Sequence, residues 1–379
     1  MKKYYRMSIQ YSFLLLTIIF YSCGNKQNQT DNLSPGSNPE EYAKIDVKLG
    51  KRQFKISLNY KVNKQLAKKR KFVDIETKHL FNIGSIQDTI FSYPVMVKSD
   101  KSGNIYVLDM QGCSVSKFDS NGSFVKKYGR KGKGPGEFDS PFRIDVSDNG
   151  KLLVLDPNLM KCELFEGDNT KQFILSMMSH AACFVDSTSF VTFQTLMPFD
   201  YSALIKHNIS NGSSEECQNL IMANDAMNIG ALPFLSGEIL SVNKNGFLYV
   251  PEFMNHFVKY SNEGKIIDAC NTIENIKLPS IQRENPNIID YRLPKENISS
   301  YNSFVITDRF FNVSYQASIK GSTGRKYVID VYSISSGVYL HSFMLPEKVG
   351  VIWIYMDKEK IYLLKDNLEL EVLRYKLDE

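Results

Sequence analysis

Short chemical signatures are what this sequence lacks. Its five histidines, His79, His180, His207, His256 and His341, are scattered, and none belongs to an HExxH pair that would place two imidazoles on one metal. No GxSxG elbow presents a nucleophilic serine. Six cysteines are present without a CxxC pair, which gives no support to a zinc knuckle or a thioredoxin-like redox pair. Beyond the first two dozen residues no run keeps a helical apolar period, so no helix terminus is expected to cradle phosphate. Local motif alone assigns no chemistry.

What is present begins with an export signal. Lys2, Lys3 and Arg6 form a positive start, an apolar core runs from about Tyr11 to Phe20, and Ser22, Cys23 and Gly24 follow. The apolar run is too short for a spanning helix and has the layout of a secretory leader. A cysteine directly after a small residue resembles the lipobox of bacterial lipoproteins, although Phe20 and Tyr21 depart from its commonest residues. The resemblance implies cleavage before Cys23 and a lipid on that residue. Residues 1–22 are then the leader, and 23–41 are the lipidated cysteine and a tether rich in Asn, Ser, Pro and Gly, too polar to repay its own ordering. The expected location is the bacterial cell envelope, at the outer membrane.

Removing the leader takes Lys2, Lys3 and Arg6 from the 46 basic residues, and the formal charge of +5 falls to about +2 against 41 acids. So slight an excess is no nucleic-acid signal, and nucleic acid is not an expected partner. The basic residues are instead bunched: from Lys48 to Lys71 there are ten Lys or Arg and no acid. Coulomb attraction to anionic lipid or polysaccharide is one reading of that run, and the solvated face of an N-terminal strand or linker is the plainer one. After Cys23 an odd number of cysteines remains, so buried thiols are the default and no disulfide pairing can be deduced.

The middle of the chain repeats itself. YPVMVKSDKSGNIYVLDMQGCSVSKFDSNG (93–122) lies over SPFRIDVSDNGKLLVLDPNLMKCELFEGDN (140–169) without a gap, at an offset that pairs Pro94 with Pro141, Gly103 with Gly150, Asp109 with Asp156 and Phe118 with Phe165. GFLYVPEFMNHFVKYSNEG (246–264) is a third copy with Pro251 in place of the aspartate, and KIYLLKDNLELEVLRYKL (360–377) is a looser one. Each reads as short antiparallel strands joined by tight turns. Units this small cannot bury both faces alone, but they can when stacked around an axis. The expected fold is all-β: a six-bladed β-propeller over 42–379. Its units lie near 94–140, 141–182, 183–235, 236–300 and 301–348, and the sixth joins 349–379 to an N-terminal strand within 70–92, which closes the ring.

Residues 129–156, GRKGKGPGEFDSPFRIDVSDNGKLLVLD, carry Gly129, Gly132, Gly134, Pro135, Gly136, Phe138 and Pro141, then Val154 and Asp156. This resembles the connection between repeats in NHL-type propellers, and the whole chain resembles the six-bladed propeller lipoproteins of Bacteroides-like bacteria. A Walker loop would need GxxxxGK with Ser or Thr; here Pro135 and Gly136 follow Gly134. The glycines are expected to make a corner, with Phe138 plugging the space between two blades. Arg130, Lys131 and Lys133 on that corner are candidate contacts for an anionic partner.

Asp109 and Asp156 recur at equivalent places and invite a reading as paired carboxylates. An aspartate that ends a strand by accepting backbone N–H bonds is the stronger expectation. Lactonase-like six-bladed enzymes build a calcium site from several blades, but their ligands do not map onto this chain. Tyr291, Tyr301, Phe310, Phe311 and Tyr315 fall in a less regular stretch, where a displayed loop would give an aromatic recognition surface. Tyr291 and Tyr301 join Arg130, Lys131 and Lys133 as candidate ligand-binding residues, against ordinary packing. The expectation is a non-enzymatic envelope protein binding a peptide, protein or glycan through one rim, with no cofactor required. The alternative is a calcium-dependent propeller hydrolase or lyase.

Overall fold

The structure, a computed structural model, describes residues 44–49, 52–88, 90–196, 201–220, 237–242, 246–252, 254–274, 280–285, 288–292, 298–316, 326–345 and 350–378. The leader, Cys23 and the tether lie outside the described residues. Every regular element among the described residues is a β-strand, and they assemble into four-stranded sheets. Residues 41–379 form one compact unit.

The chain opens with β1 (Lys44–Leu49), β2 (Arg52–Ser57) and β3 (Ile75–Ile83). Blade one holds β4 (Pro94–Ser99), β5 (Ile105–Asp109), β6 (Ser114–Phe118) and β7 (Phe124–Tyr128). Blade two holds β8 (Arg143–Val146), β9 (Leu152–Asp156), β10 (Lys161–Glu166) and β11 (Asn169–Ile174). Blade three is β12 (Met178–Phe184), β13 (Ser189–Leu196), β14 (Tyr201–Asn208) and β15 (Ser214–Glu216). Blade four is β16 (Gly237–Ser241), β17 (Phe247–Pro251), β18 (His256–Tyr260) and β19 (Ile266–Asn271). A hairpin of β20 (Ser280–Asn285) and β21 (Ile288–Arg292) precedes blade five, β22 (Ile298–Ile306), β23 (Arg309–Gln316), β24 (Lys326–Ser333) and β25 (Tyr339–Met344). Finally β26 (Val351–Met356), β27 (Lys360–Lys365) and β28 (Leu370–Leu377) build blade six, whose outer strand is β3.

The first strand of each blade neighbours the first strand of the next. β4 lies beside β8, β8 beside β12, β12 beside β16, β16 beside β22, β22 beside β26, and β26 returns to β4. That cycle is a closed six-bladed propeller. The second strands explain why it must close: all five residues of β5, β9 and β17 are buried. A strand covered on both faces reads as a continuous apolar run, whereas the outer strand FVKKY of blade one is largely exposed.

The repeated aspartates tie the corners. Asp109 accepts from the backbone N–H groups of Ser92, Tyr93 and Gly112 at 2.7, 2.8 and 2.9 Å. Asp156 accepts from Asp139, Ser140 and Leu159 at 2.7, 3.0 and 3.1 Å. These are the same three donors, one repeat later, and they make both carboxylates turn-capping groups.

Two sequence expectations are corrected, and one pair of alternatives is decided. Blade three starts at Met178 instead of 183, because β11 ends at Ile174 and only a short link precedes β12. Of the two readings of the aromatic-rich stretch, ordinary packing holds for Phe310 and Phe311, which lie in the second strand of blade five and are buried. Finally, β20 and β21 leave the ring to pair with β1 and β2 in a seventh sheet of order β2-β1-β20-β21, which the blade count does not contain.

Between β2 and β3 the chain runs as a belt along the outer strands. Asn63 bridges Cys270 of β19, and Phe72 bridges Ser342 of β25, both in parallel register. The Tyr60 hydroxyl shares a hydrogen bond with His256 Nε2 at 2.7 Å. Gln65 Nε2 donates to the carbonyls of Asn271 and Gly337, both at 2.7 Å, and its Oε1 accepts from Tyr339 N at 2.9 Å. Arg70 turns inward. Its Nε and Nη2 grip both oxygens of fully buried Asp330 at 2.8 and 2.9 Å, and Nη2 also pairs with Glu274. Asp330 accepts from Ser342 Oγ at 2.6 Å as well, so the clamp joins the belt to two strands of blade five.

Removing one side of a buried pair strands the other charge, at a cost of about 3–5 kcal/mol. Arg70→Ala is therefore expected to lower the free energy of unfolding by that order, and Arg70→Lys to recover only part of it, since an ammonium cannot span both oxygens. Urea unfolding midpoints with unchanged slopes check this. A loss within about 0.5 kcal/mol, the range of ordinary surface changes, would show that the belt is not clamped there.

Candidate functional site

In a ring of antiparallel blades, the connection from an outer strand to the next inner strand lies at the end where inner strands begin. The 129–142 connection between β7 and β8, the corners held by Asp109 and Asp156, and Glu252 after β17 therefore share one face of the propeller. Strand register places Met96, Arg143, Glu238 and Trp353 at equivalent positions near that end: their partners are Leu108, Leu155, Val250 and Leu364. Two residues deeper come Lys98, Asp145, Leu240 and Tyr355.

Most of these inner positions line a narrow hollow whose walls include Met96, Lys98, Arg143, Asp145, Glu238 and Trp353. Both signs of charge meet there. The Arg143 guanidinium sits 4.3 Å from the Phe142 ring centre and 5.5 Å from that of Trp353, and the Lys98 ammonium is 5.2 Å from the Tyr355 ring centre. Each acid is also tied to the next blade: Asp145 Oδ2 accepts from Phe184 N and Glu238 Oε2 from Ser303 N, both at 2.8 Å. Among the described residues no ion pair joins Lys98 to Asp145.

Burial sets the protonation of this wall. It raises Asp145 and Glu238 above the ordinary carboxylate range, opposed by Lys98 for the first and by Arg143 and Lys98 for the second. Glu252 is pushed up to about 7, chiefly by burial, with Arg143 opposing and Glu238 adding to the rise. His180 is lowered by burial and then by Arg143, which favours its neutral form. The arrangement can orient a polar ligand through fixed charges, and Glu252 can exchange a proton near neutral pH.

The glycine loop is a filled corner. Gly129 and Gly136 have φ of 81° and 69°, and a side chain at Gly129 would collide with the ring of fully buried Phe138. Glu137 Oε2 accepts from the N–H groups of Lys133 and Gly134 at 3.1 and 2.9 Å, while its Oε1 pairs with Arg130. The backbone cradle that could have held a phosphate oxygen thus holds the loop's own carboxylate. Beneath it, buried Lys161 donates to Gly134 O at 2.8 Å and to Glu163 Oε1 at 2.7 Å.

Among the sequence-predicted residues, Arg130, Lys131 and Lys133 are exposed on this loop, with Arg130 paired to Glu137 and Lys131 to Asp139 at 2.7 Å. Tyr291 is on β21 of the seventh sheet and Tyr301 on β22, the inner strand of blade five. The five residues thus occupy three separate parts of the fold. Cys23 falls outside the described residues. The five other cysteines are free and buried. Among the described residues no group of three or more His, Cys, Asp or Glu is placed to hold a metal, and no helix is long and apolar enough to cross a membrane. Lys98, Arg143, Asp145, Glu238 and Glu252 were not singled out from sequence. The available signal was an alternating pattern with charged residues at inner-strand positions, KSD, RID and GEI, inside otherwise apolar repeats.

The 6-bladed beta-propeller family DUF5128 matches residues 53–318. The chain belongs to this family. Its fold is similar to that of a Bacteroides fragilis protein assigned as exported, at TM-score 0.56 and 12% identity over 84% of this chain and 99% of that one. It is also similar to a DUF4221 family member from Bacteroides vulgatus, at TM-score 0.55 and 10% identity over 82% and 100% of the two chains. Identities this low establish shape alone. No curated protein matches the chain significantly.

The electrostatics of the mouth can be tested by titration. Glu238→Gln removes a negative neighbour and is expected to lower the Glu252 pKa, while Arg143→Met removes the opposing cation and raises it. A glutamate raised from 4.5 to about 7 binds its proton more tightly when folded. Its contribution to stability is full below the unfolded value and is lost as pH rises through about 7. Carboxyl 13C shifts follow both changes, and opposite or null shifts would show that the three groups are not neighbours.

Proposed function

We propose that this protein is a membrane-tethered binding propeller of the bacterial cell envelope, anchored at the outer membrane through a lipid on Cys23. It holds a peptide, protein or glycan on one face without transforming it, and needs no cofactor to do so. The observation that carries the reading is the axial hollow, where Arg143, Glu238, Lys98 and Asp145 come from three different blades and stand beside Trp353, with Tyr355 against Lys98. Donors, acceptors and aromatic faces in one concave site suit a ligand rich in amides or hydroxyls. The 129–138 loop lies on the same face, so Arg130, Lys131 and Lys133 flank the ligand as a basic rim. Lys133 is the strongest of these, because the other two are engaged by Glu137 and Asp139. Tyr291 and Tyr301 are secondary candidates.

The alternative, a calcium-dependent hydrolase or lyase, draws on one observation. Glu252, with a pKa of about 7 beside Arg143 and Glu238, is poised for general acid or base work. Calcium would require several oxygen donors around one point, and Glu238 and Glu252 are the acids this mouth would offer.

A ligand that binds the folded state raises its melting temperature by mass action. Envelope-derived peptides and oligosaccharides are expected to raise the melting temperature of the wild type. Lys98→Met with Arg143→Met should abolish the shift, and the Lys133→Ala variant should weaken it. Mass spectrometry of the recovered ligand separates the two readings. An unaltered ligand supports binding, conversion of it supports the enzymatic alternative, and shifts that survive the double variant would move the site elsewhere.

A further inference from the structure

The belt has an outward side that the ring does not use. Between Asp46 and Asp74 the sequence contains no acid. Arg70 turns inward, whereas Lys64, Lys68, Lys69 and Lys71 are exposed, and none of these four has an ion-pair partner among the described residues. Apolar side chains are exposed among them: Leu66 at 91% and Phe72 at 50%. The belt bonds place these next to blade five. Gln65, next to Leu66, bonds to Gly337 and Tyr339 on either side of Val338, and Phe72 bridges Ser342, two residues from Leu340. Val338 and Leu340 are themselves 45% and 37% exposed.

Exposed leucine and phenylalanine carry a cost in water that a folded domain normally avoids by burial. Scattered singly they need no explanation, but here they fall on the stretch where the belt runs beside β25, interleaved with exposed lysines. Lysine stems lie along apolar surface while their ammonium groups reach toward charge. An apolar centre with a cationic rim matches the boundary between acyl chains and anionic headgroups.

We propose that this belt face docks on an anionic phospholipid surface. The proposal takes the envelope setting suggested above and adds an orientation: the edge of blade five, crossed by the belt, lies against the membrane. The axial mouth is then directed sideways along the membrane, open to ligands in the aqueous layer. Charge complementarity selects lipid over a second copy of the chain, because two such faces would oppose lysine to lysine.

The test uses residues 41–379, which form one compact unit and lack the expected lipid, so that only the belt can bind. This chain is expected to sediment with phosphatidylglycerol vesicles, to ignore phosphatidylcholine vesicles, and to be released when salt is raised to about 0.5 M, where exposed charges are screened within a few ångströms. Replacing Lys64, Lys68, Lys69 and Lys71 by Gln should weaken the partition at least about tenfold. Leu66→Ser with Phe72→Ser should weaken it also, at unchanged salt dependence. All six positions are exposed, so unfolding midpoints are expected to stay near the wild type. Absence of sedimentation, equal binding to both vesicles, or unaltered partition of the lysine variant would each overturn the proposal. A monodisperse dimer lost on Leu66→Ser would overturn it too, by making the face a protein interface. Failure of Cys23 acylation in cells would remove the tether while leaving this result intact.

Discussion

A strand that is apolar on both faces needs a neighbour on each, and that requirement governs the whole molecule. β5, β9 and β17 have no solvent face, so blades one, two and four each need a neighbour on both sides. The last gap is closed by pairing β3 with β28 over Ile75–Ile83 and Leu370–Leu377. The ring therefore forms only after both ends of the chain have met, with nearly three hundred residues folded between them. Contacts of that sequence separation impose a loop-closure cost before they give anything back. The belt addresses the problem directly. By bonding to blades four and five it holds the approach to β3 along the rim, and the Arg70–Asp330 clamp fixes that path from inside. Closure is then completed from a nearby anchor instead of from a free end.

The same geometry separates packing from chemistry. Second strands serve burial: in β5, β9 and β17 every residue is covered, and apart from the capping Asp109 and Asp156 they are apolar or aromatic. Inner strands meet at the axis, where blades diverge in what they contribute: Met96, Arg143, Glu238 and Trp353 occupy equivalent places with four different chemistries. The bonds from Asp145 and Glu238 to the neighbouring blade's backbone keep those carboxylates in place without consuming both oxygens in ion pairs. A charge held by a neutral N–H donor is positioned yet still able to answer a ligand's charge.

How far the sequence reveals this depends on the range of the interaction. The repeat is legible because corners are local. Asp109 and Asp156 bond within a span of seventeen residues, and Gly129 faces Phe138 in the same loop, so a spacing pattern carries the full geometry. Closure by a strand within 70–92 is legible for a different reason: six units with one strand missing demand it. The seventh sheet is not, since β1 meets β20 across more than two hundred residues and neither segment matches the repeat. Phe310 and Phe311 leave two readings open in the sequence, because an aromatic-rich stretch between irregular segments looks the same whether it is displayed or sandwiched. The basic rim of the 129–138 loop is legible as a run of charge but not in its internal pairing: Glu137 and Asp139 sit in the same motif, and only the folded loop brings them onto Arg130, Lys131 and the Gly134 N–H.

The axial charges were hidden by the very repeat that revealed the fold. Aligning blades rewards positions that agree, and it discards those that differ as noise. In a ring whose equivalent positions converge on one axis, difference is the informative quantity. Identical residues from every blade would place like charges together or fill the hollow with one apolar side chain. Arg143 opposite Glu238, and Lys98 beside Asp145, are stable only because the blades disagree. The belt follows the same logic in one dimension: along 58–74, Arg70 serves the ring because it turns inward, and the lysines around it are released from that duty because it does. Where repetition has already satisfied burial, the residues that break it are free to meet something outside the chain.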